Sequence, residues 1–166
     1  MNCQQTLAIT SHRVLVSDLN EHETVYGGRL LELLDSTASI SASHIARTET
    51  ATASLDHFNF IAPFKLKDFF YIETYVSGVG KRSIEIFAKI IGEHLQTGER
   101  FLGATAFLTF VVLDNETMLE PITPVSKEEK ALCSKYPERK QKQIDQLKQQ
   151  KEFRQRISLA LPWQQK

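Results

Sequence analysis

A single long helical pattern stands among strand patterns, and this order limits the possible folds more than any other feature of the sequence. From Gly27 or Gly28 to about Ala46, apolar residues recur at the spacing of a helix. After Asp35 this stretch has no formally charged residue if His44 is neutral. A helix this apolar must be covered by another element, and the sequence offers no second apolar helix.

Five strand patterns provide that cover. They comprise residues 8–16 before the helix and residues 50–63, 68–78, 82–95 and 100–114 after it. The last three patterns are joined by short segments that contain glycine, which is typical of hairpins. We therefore predict an α+β fold in which a curved antiparallel sheet wraps around one long central helix.

The predicted helix is apolar on more than one side. At about 100° per residue, Leu33 and Ile40 lie opposite the main apolar face, which consists of Leu31, Leu34, Ala38, Ala42 and Ile45. This pattern predicts burial on two sides, by the sheet and by a further element such as a second subunit.

Asp35 lies at the edge of that main face, where we expect it to be buried. A buried carboxylate without partners is energetically costly. Either Ser36, Ser39 or a backbone group satisfies it, or it acts as a general base or nucleophile in a dry cleft.

Two consecutive glycines begin the helix, two turns ahead of Asp35. Glycine allows a ligand to approach the backbone closely. The first N–H groups of a helix lack internal partners and carry the positive end of its dipole. The N–H groups near Gly27 and Gly28 are therefore candidates to hold a developing oxyanion.

A charged tail follows the globular part. We assign residues 1–125 to one domain and residues 126–166 to a C-terminal extension that is mainly helical. Up to Val125 the chain has nine Lys and Arg against fifteen Asp and Glu, and afterwards eleven against five. This asymmetry indicates a polyanionic ligand, a tail that folds over the acidic body, or a solvated charged helix.

The extension itself contains two helical patterns. Ser126 and Glu129 have the spacing of a capping box, which marks the beginning of a helix. Pro137 is expected to interrupt this helix. Residues 138–160 are rich in Lys, Gln and Arg and predict a basic helix that is weakly amphipathic at best.

Several protein classes are disfavoured by composition. The 166 residues are enough for about one domain. No apolar run approaches the ~20 residues that span a membrane, and no signal peptide is evident, so we expect a cytoplasmic protein. Cys3 and Cys133 lie near opposite ends and predict neither a disulfide framework nor a zinc site. The histidines are scattered, so no metal or redox cofactor is expected.

Four stretches together resemble the hotdog-fold acyl-CoA thioesterases. SDLNEHETVYGGRLLELLD, residues 17–35, is similar to that family's signature of Asp-x-Asn, a short loop, aromatic-Gly-Gly and a helix carrying Asp. ATASLDHFNFIAPFKLKD resembles the family's next strand, GKRSIEI its Gly-x-x-Ser hairpin and TGERFLGATAFLTFVVLD its last strand. The resemblance extends from about Thr10 to Asp114.

This resemblance implies an enzyme that hydrolyses acyl-CoA thioesters to a free acid and CoA. It implies protomers that pair through their sheets as a homodimer, assembled further into a hexamer, with the active site between protomers. The family's catalytic Asp falls on Asp35, its Asn on Asn20, its Thr on Thr52, and its Gly-Gly amides on Gly27 and Gly28. Asn20 is expected to reach the site from the facing protomer.

Coenzyme A carries phosphates, so basic residues are candidate contacts. The hairpin motif suggests Gly80, Lys81, Arg82 and Ser83, and the tail adds Arg139, followed by Lys140 and Lys142. Relatives often carry Arg-Thr where this chain has Lys81-Arg82, and Glu21 and Glu23 make the loop after Asn20 more acidic than in relatives. Coenzyme A is part of the substrate, so no separate cofactor is implied.

Two alternatives remain open. A hotdog hydratase or dehydratase pairs a His with an acidic residue, and His22 precedes Asp35 by a suitable distance, but the loop lacks the Pro-rich sequence of those enzymes. A non-catalytic acyl-CoA sensor would use the basic tail on a nucleic acid or another partner. The tail has no regular placement of aromatic residues among the basic ones and no recognisable nucleic-acid-binding motif. We therefore expect neither nucleic acid nor membrane as a partner.

Overall fold

The computed structural model describes residues 1–161 and Trp163. Its elements are β1 (Ala8–Arg13), α1 (Gly27–Ala46), β2 (Thr50–Phe60), β3 (Phe69–Val79), β4 (Ser83–Glu93), β5 (Arg100–Val112), α2 (Lys127–Cys133) and α3 (Tyr136–Arg154). Two short 3-10 turns, Cys3–Thr6 and Val16–Asp18, flank β1. Every predicted helix and strand is confirmed, although β1 and α3 end earlier than predicted.

The five strands form one antiparallel sheet in the order β1-β3-β4-β5-β2. β3, β4 and β5 are neighbours in sequence and in the sheet, as expected of a meander with short connections. β2 pairs only with β5 and is therefore an edge strand. One long helix against a curved antiparallel sheet confirms the predicted hotdog fold.

The core lies between α1 and one face of this sheet. Val76, Ile86 and Leu108 stand side by side on three neighbouring strands and are at most 1% exposed. The helix residues that face them include Leu30, Leu34, Ala38 and Ala42. The alanines let the helix backbone approach the sheet closely, as side chains this small require little space.

The second apolar side of α1 is not covered by the residues that the structure describes. Ile40 is 43% exposed, while Leu33 is only partly buried against the core. Within one protomer, α1 is therefore buried as predicted on the side that faces the sheet, but not on the opposite side.

A smaller cluster covers the opposite face of the sheet. Tyr75 and Phe87 pair across β3 and β4, one residue along from Val76 and Ile86, so they point to the other face. Cys3 from the first 3-10 turn and Leu132 from α2 pack with them. We call this group the outer cluster.

The predicted capping box of α2 is present. The Ser126 N–H donates to Glu129 Oε2 at 2.9 Å, and the Glu129 N–H donates to Ser126 Oγ at 3.1 Å. Pro137 lies in the first turn of α3, where a proline begins a helix without losing an internal hydrogen bond.

Two compact units divide the chain, Met1–Cys133 and Ser134–Lys166. The division falls eight residues after the expected boundary at Val125, so α2 belongs to the first unit and not to the extension. No helix among the described residues is long and apolar enough to cross a membrane.

Candidate active site

The beginning of α1 presents two unused backbone donors. Tyr26 precedes the helix in an extended conformation, and its N–H donates to the carbonyl oxygen of Asp18 at 2.8 Å. The first N–H bonded within the helix is that of Arg29, which donates to the Tyr26 carbonyl at 2.9 Å. The N–H groups of Gly27 and Gly28 have no hydrogen-bond partner among the described residues.

Both glycines lie in crowded surroundings. A methyl group at Gly28 would lie 2.5 Å from the ring of Tyr26, and one at Gly27 would lie 3.2 Å from the ring of Phe60. The absence of side chains therefore keeps the approach to these two N–H groups open.

A cavity of about 360 Å³ adjoins the helix start. Asn20, Gly27 and Leu30 line the cavity, as do Phe60, the last residue of β2, and Phe64 in the segment that follows β2. Polar groups therefore sit beside largely apolar walls, as is usual for a ligand pocket.

The loop from Asn20 to Thr24 is organised by the Asn20 side chain. Its Oδ1 accepts hydrogen bonds from the N–H of His22 at 2.9 Å and from both the N–H and the hydroxyl of Thr24 at 3.2 Å. A backbone N–H can only donate, so the oxygen of the amide must be the atom that faces the loop. The NH₂ group of Asn20 has no partner among the described residues and is available as a donor.

Asp35 and Thr52 meet on the exposed side of α1. Thr52, on edge strand β2, donates its hydroxyl hydrogen to Asp35 Oδ1 over 2.7 Å. Both residues are exposed in the protomer, so the prediction that Asp35 is buried is wrong for a single chain. The predicted dry cleft requires something outside the protomer, because neither the sheet nor the loops cover this side of the helix.

Asp35 is remote from the start of its own helix. It follows Gly27 by eight residues, which corresponds to about 12 Å along the helix axis. One small carbonyl group cannot contact the Gly27 N–H and the Asp35 carboxylate of the same chain. A site that uses both groups must take them from two chains.

An ion-pair network that the sequence analysis missed supports the helix start. Arg29 Nε lies 3.4 Å from Asp18 Oδ1, and its Nη1 lies 2.9 Å from Glu32 Oε2. The bond to Glu32 raises the pKa of the Arg29 guanidinium. Asp18 also accepts the Leu15 N–H at 2.8 Å, which fixes the loop that leads to Asn20. The Asp-x-Asn spacing was a signal for Asp18, whereas nothing singled out Arg29.

The predicted coenzyme A contacts divide into two groups. In the β3–β4 hairpin, the Gly80 N–H donates to the Ser83 carbonyl at 2.7 Å, and Arg82 donates to the carbonyls of Val112 and Leu113. The Arg82 guanidinium is therefore partly engaged by hydrogen bonds at the end of β5. The Lys81 ammonium has no partner among the described residues, and the hairpin borders a cavity of about 290 Å³ with residues 115–119.

The other predicted contacts lie in the second unit. Arg139, Lys140 and Lys142 all belong to α3, where Lys142 pairs with Glu138 at 2.8 Å. Their contact with coenzyme A stays a prediction.

His22 does not meet Asp35 through any observed contact. Its side chain is 77% exposed and lies 3.5 Å from that of Glu21. Across residues 1–161 and Trp163, no three His, Cys, Asp or Glu side chains are grouped to hold a metal ion.

Comparison with known proteins relates this chain to thioesterases. The family model of the thioesterase superfamily matches residues 22–99. An uncharacterized acyl-CoA thioester hydrolase of Bacillus subtilis, YkhA, is 45% identical over 126 residues, covering 76% of this chain and 73% of that protein.

Solved structures extend the similarity to nearly the whole chain. An acyl-CoA hydrolase of Staphylococcus aureus, crystallised with coenzyme A, is 26% identical and has a TM-score of 0.90 over 96% of this chain and 98% of that one. A hexameric acyl-CoA thioesterase is 29% identical, with a TM-score of 0.82 over 89% of this chain and 96% of that one.

The Staphylococcus aureus structures include three alanine variants, in which an Asn, an Asp and a Thr are replaced. In that protein the Asp follows the Asn by 15 residues, and the Thr follows the Asp by 17. Asn20, Asp35 and Thr52 are separated by the same two intervals.

Proposed function

This chain belongs to the acyl-CoA thioester hydrolases of the thioesterase superfamily, and we propose that it cleaves acyl-CoA thioesters at a site shared by two protomers. The products are a free acid and coenzyme A. The observation that carries this proposal is the hydrogen bond from Thr52 to Asp35, which holds a carboxylate on the open side of α1. The reaction as proposed needs no cofactor, since coenzyme A is part of the substrate.

The N–H groups of Gly27 and Gly28 polarise the thioester carbonyl. Their lack of partners, their place beside the cavity and the dipole of a 20-residue helix all favour negative charge at this point. Stabilising a developing oxyanion in this way typically contributes about 10²–10³ in rate for each donor.

Asp35 acts as a general base on the attacking water. Thr52 occupies one carboxylate oxygen, and no described residue occupies the other, which is free to accept a proton from water. The thiolate of coenzyme A then leaves, and the water oxygen becomes part of the acid. Direct attack by Asp35 would instead form an anhydride. If water then attacked the Asp35 carbonyl carbon of that anhydride, heavy-oxygen water would label Asp35 in a single turnover.

Two protomers are needed because the Gly27 N–H group and Asp35 lie about 12 Å apart along one helix. We assign the N–H groups of α1 and the Asn20 amide to one protomer and Asp35 with Thr52 to the other. The Asn20 NH₂ group donates to the carbonyl or to the attacking water. The facing protomer also covers the exposed side of α1, so less water reaches the site than in a single chain.

Coenzyme A phosphates bind at the β3–β4 hairpin, mainly through Lys81. Its ammonium is unpaired within the described chain, whereas Arg82 is partly engaged by Val112 and Leu113. Gly80, Ser83 and Arg139 are secondary contacts in this assignment.

Thiol release from a panel of acyl-CoAs, short to long, tests the proposed function. Wild type should turn over part of the panel, and Asp35→Asn should lower kcat by about 10²–10⁴ while leaving the fold unchanged. Glu99→Gln is the matched control, because Glu99 is an exposed acid in the turn between β4 and β5, outside the residues assigned to the proposed site. Its turnover should stay close to that of wild type.

Two results would contradict the proposal. A folded protein that binds coenzyme A but releases no thiol from any acyl-CoA would be a sensor. Water addition to an enoyl-CoA without thiol release would indicate a hydratase.

A further inference from the structure

The two cysteines of the chain lie next to each other in the outer cluster. Cys3 is in the first 3-10 turn and Cys133 is the last residue of α2, yet their sulfur atoms are 3.7 Å apart. Cys3 is completely buried and Cys133 is half-buried, and no disulfide joins them. Sequence analysis predicted no disulfide framework, because the two residues are 130 positions apart and near opposite ends of the chain.

The position of Cys3 is fixed by its surroundings. The Cys3 N–H donates to the Thr123 carbonyl at 3.1 Å, and the Thr123 N–H donates to the Met1 carbonyl at 3.0 Å. Thr6 is fully buried, donates to the Cys3 carbonyl at 2.7 Å and accepts the Val76 N–H at 3.0 Å. These bonds hold the 3-10 turn against β3.

The position of Cys133 is fixed from the other side. Glu128, in the first turn of α2, accepts hydrogen bonds from Lys89 at 3.0 Å and from the Tyr75 hydroxyl at 3.2 Å. The capping box of Ser126 and Glu129 fixes the direction in which α2 leaves the preceding loop. Both sulfur atoms are therefore carried by segments that are already held against the same part of the sheet.

We propose that Cys3 and Cys133 form a reversible disulfide within one chain when the protein meets a low-molecular-weight disulfide. An S–S bond is about 2.05 Å long, so the sulfur atoms must approach by less than 2 Å, which side-chain rotation and a small shift of α2 provide. The bond would join the N-terminal turn to α2 across the outer cluster.

The order of events follows from exposure. The hydrogen bond with Cys133 and burial raise the pKa of the Cys3 thiol, so Cys3 is the poorer first nucleophile. The Cys133 thiolate attacks one sulfur of the small disulfide, forms a mixed disulfide and releases one small thiolate. The Cys3 sulfur then attacks the Cys133 sulfur, loses its proton and releases the second small thiolate. Two protein thiols are oxidised, the small disulfide is reduced by two electrons, and the two protons end on the two small thiols.

The disulfide would make the first unit more resistant to unfolding. It closes nearly the whole length of that unit into one loop, and the stabilisation by a disulfide increases with loop length in the chain-entropy model. We expect Tm to rise by about 5–10 °C on oxidation. The site is distinct from the proposed thioesterase residues, so this inference does not depend on the proposed function.

Oxidised glutathione tests the proposal on the full chain. After incubation, wild type should lose both titratable thiols without gaining glutathione, and a peptide map without reductant should join the Cys3 and Cys133 peptides. Cys3→Ser should instead retain one glutathione on Cys133, because the resolving thiol is missing. Cys133→Ser should stay unmodified, because Cys3 is buried. Dithiothreitol should reverse the change in wild type and its rise in Tm.

Several outcomes would overturn the proposal. They are a wild-type chain that retains both thiols, one that accumulates glutathione on Cys133, and one that forms a disulfide between two chains. The peptide map of wild type decides between these even if a serine variant fails to fold. A mapped disulfide that leaves Tm unchanged would refute the stabilising role.

Discussion

At the scale of single residues, the hydrogen bond between Thr52 and Asp35 determines how the carboxylate is presented. Asp35 is exposed on α1, and without a partner its side chain would sample several rotamers. Thr52 fixes one oxygen at 2.7 Å from a strand that belongs to the rigid sheet. The other oxygen then has a defined direction, which is what a general base requires.

Thr52→Val and Thr52→Ser separate this role from packing. Valine keeps the shape of threonine but cannot donate, so kcat should fall about tenfold with little change in KM, which corresponds to about 1.4 kcal/mol of transition-state stabilisation. Serine keeps the hydroxyl, and its kcat should remain within about twofold of wild type. Steady-state kinetics on one acyl-CoA measures both. A loss of activity in Thr52→Ser with full activity in Thr52→Val would mean that the methyl group, not the hydroxyl, matters at this position.

Sequence reasoning could identify Asp35 but not its surroundings. A carboxylate at the edge of an apolar helix face is visible in the printed residues, as is the spacing that relates it to Asn20 and Thr52. Whether that edge is covered depends on chains that the sequence of one protomer does not describe. The expected burial of Asp35 was wrong for this reason. The apolar residues around it indicate that something covers the helix, but they do not indicate whether the cover comes from the same chain or from a second one.

At the scale of secondary-structure elements, β5 supports the proposed site from behind. Gly103 is buried on β5, and its carbonyl accepts the N–H groups of Ile61 at 2.8 Å and Ala62 at 3.1 Å. A methyl group at Gly103 would lie 1.9 Å from the ring of Phe64, which is 1% exposed and also lines the cavity. The segment after β2 is thus positioned by close contact with a glycine.

Gly103→Ala should therefore destabilise the protein. The Phe64 ring is 1% exposed and packs against the rings of Phe70 and Phe101, so its displacement disturbs these contacts, and we expect the free energy of unfolding to fall by about 1–3 kcal/mol. Gly92→Ala is the matched control, because its methyl group would meet Phe101, which is only half-buried and has more room to shift. Urea unfolding of both variants measures the difference. A larger loss for Gly92→Ala would contradict this interpretation.

The elements themselves were predictable because their patterns are local. The period of apolar residues in α1 and the glycine-containing connections between β3, β4 and β5 are visible over short stretches of sequence. Contacts between distant segments were not predictable in this way. The proximity of Cys3 to Cys133 and the placement of α2 over the outer cluster depend on how the first and last parts of the unit meet on the sheet.

At the scale of the whole molecule, the chain consists of two units, and the boundary between them lies between Cys133 and Ser134. The first unit contains the complete sheet, α1 and the outer cluster. α2 contributes Leu132 to that cluster and Glu128 to the hydrogen bonds with Lys89 and Tyr75. Its removal would therefore uncover apolar side chains on the sheet.

Two truncations test where the first unit ends. A chain that stops after Cys133 should fold and keep its kcat, with a raised KM if Arg139 contacts coenzyme A. A chain that stops after Val125 lacks α2, and its Tm should be lower by at least about 5 °C because the outer cluster loses its cover. Thermal unfolding followed by circular dichroism compares them. Equal Tm values would place the boundary at Val125, as the sequence alone predicted.

The central proposal is that Asn20 and Asp35 of one site come from different protomers. The most direct measurement is the activity of oligomers formed by co-expressing equal amounts of Asn20→Ala and Asp35→Asn chains, each nearly inactive alone. A mixed pair has one site with both changes and one intact site, so random pairing should restore roughly one quarter of wild-type turnover. No recovery in oligomers shown to contain both chains would mean that each site takes Asn20 and Asp35 from the same chain, and the shared site would be refuted.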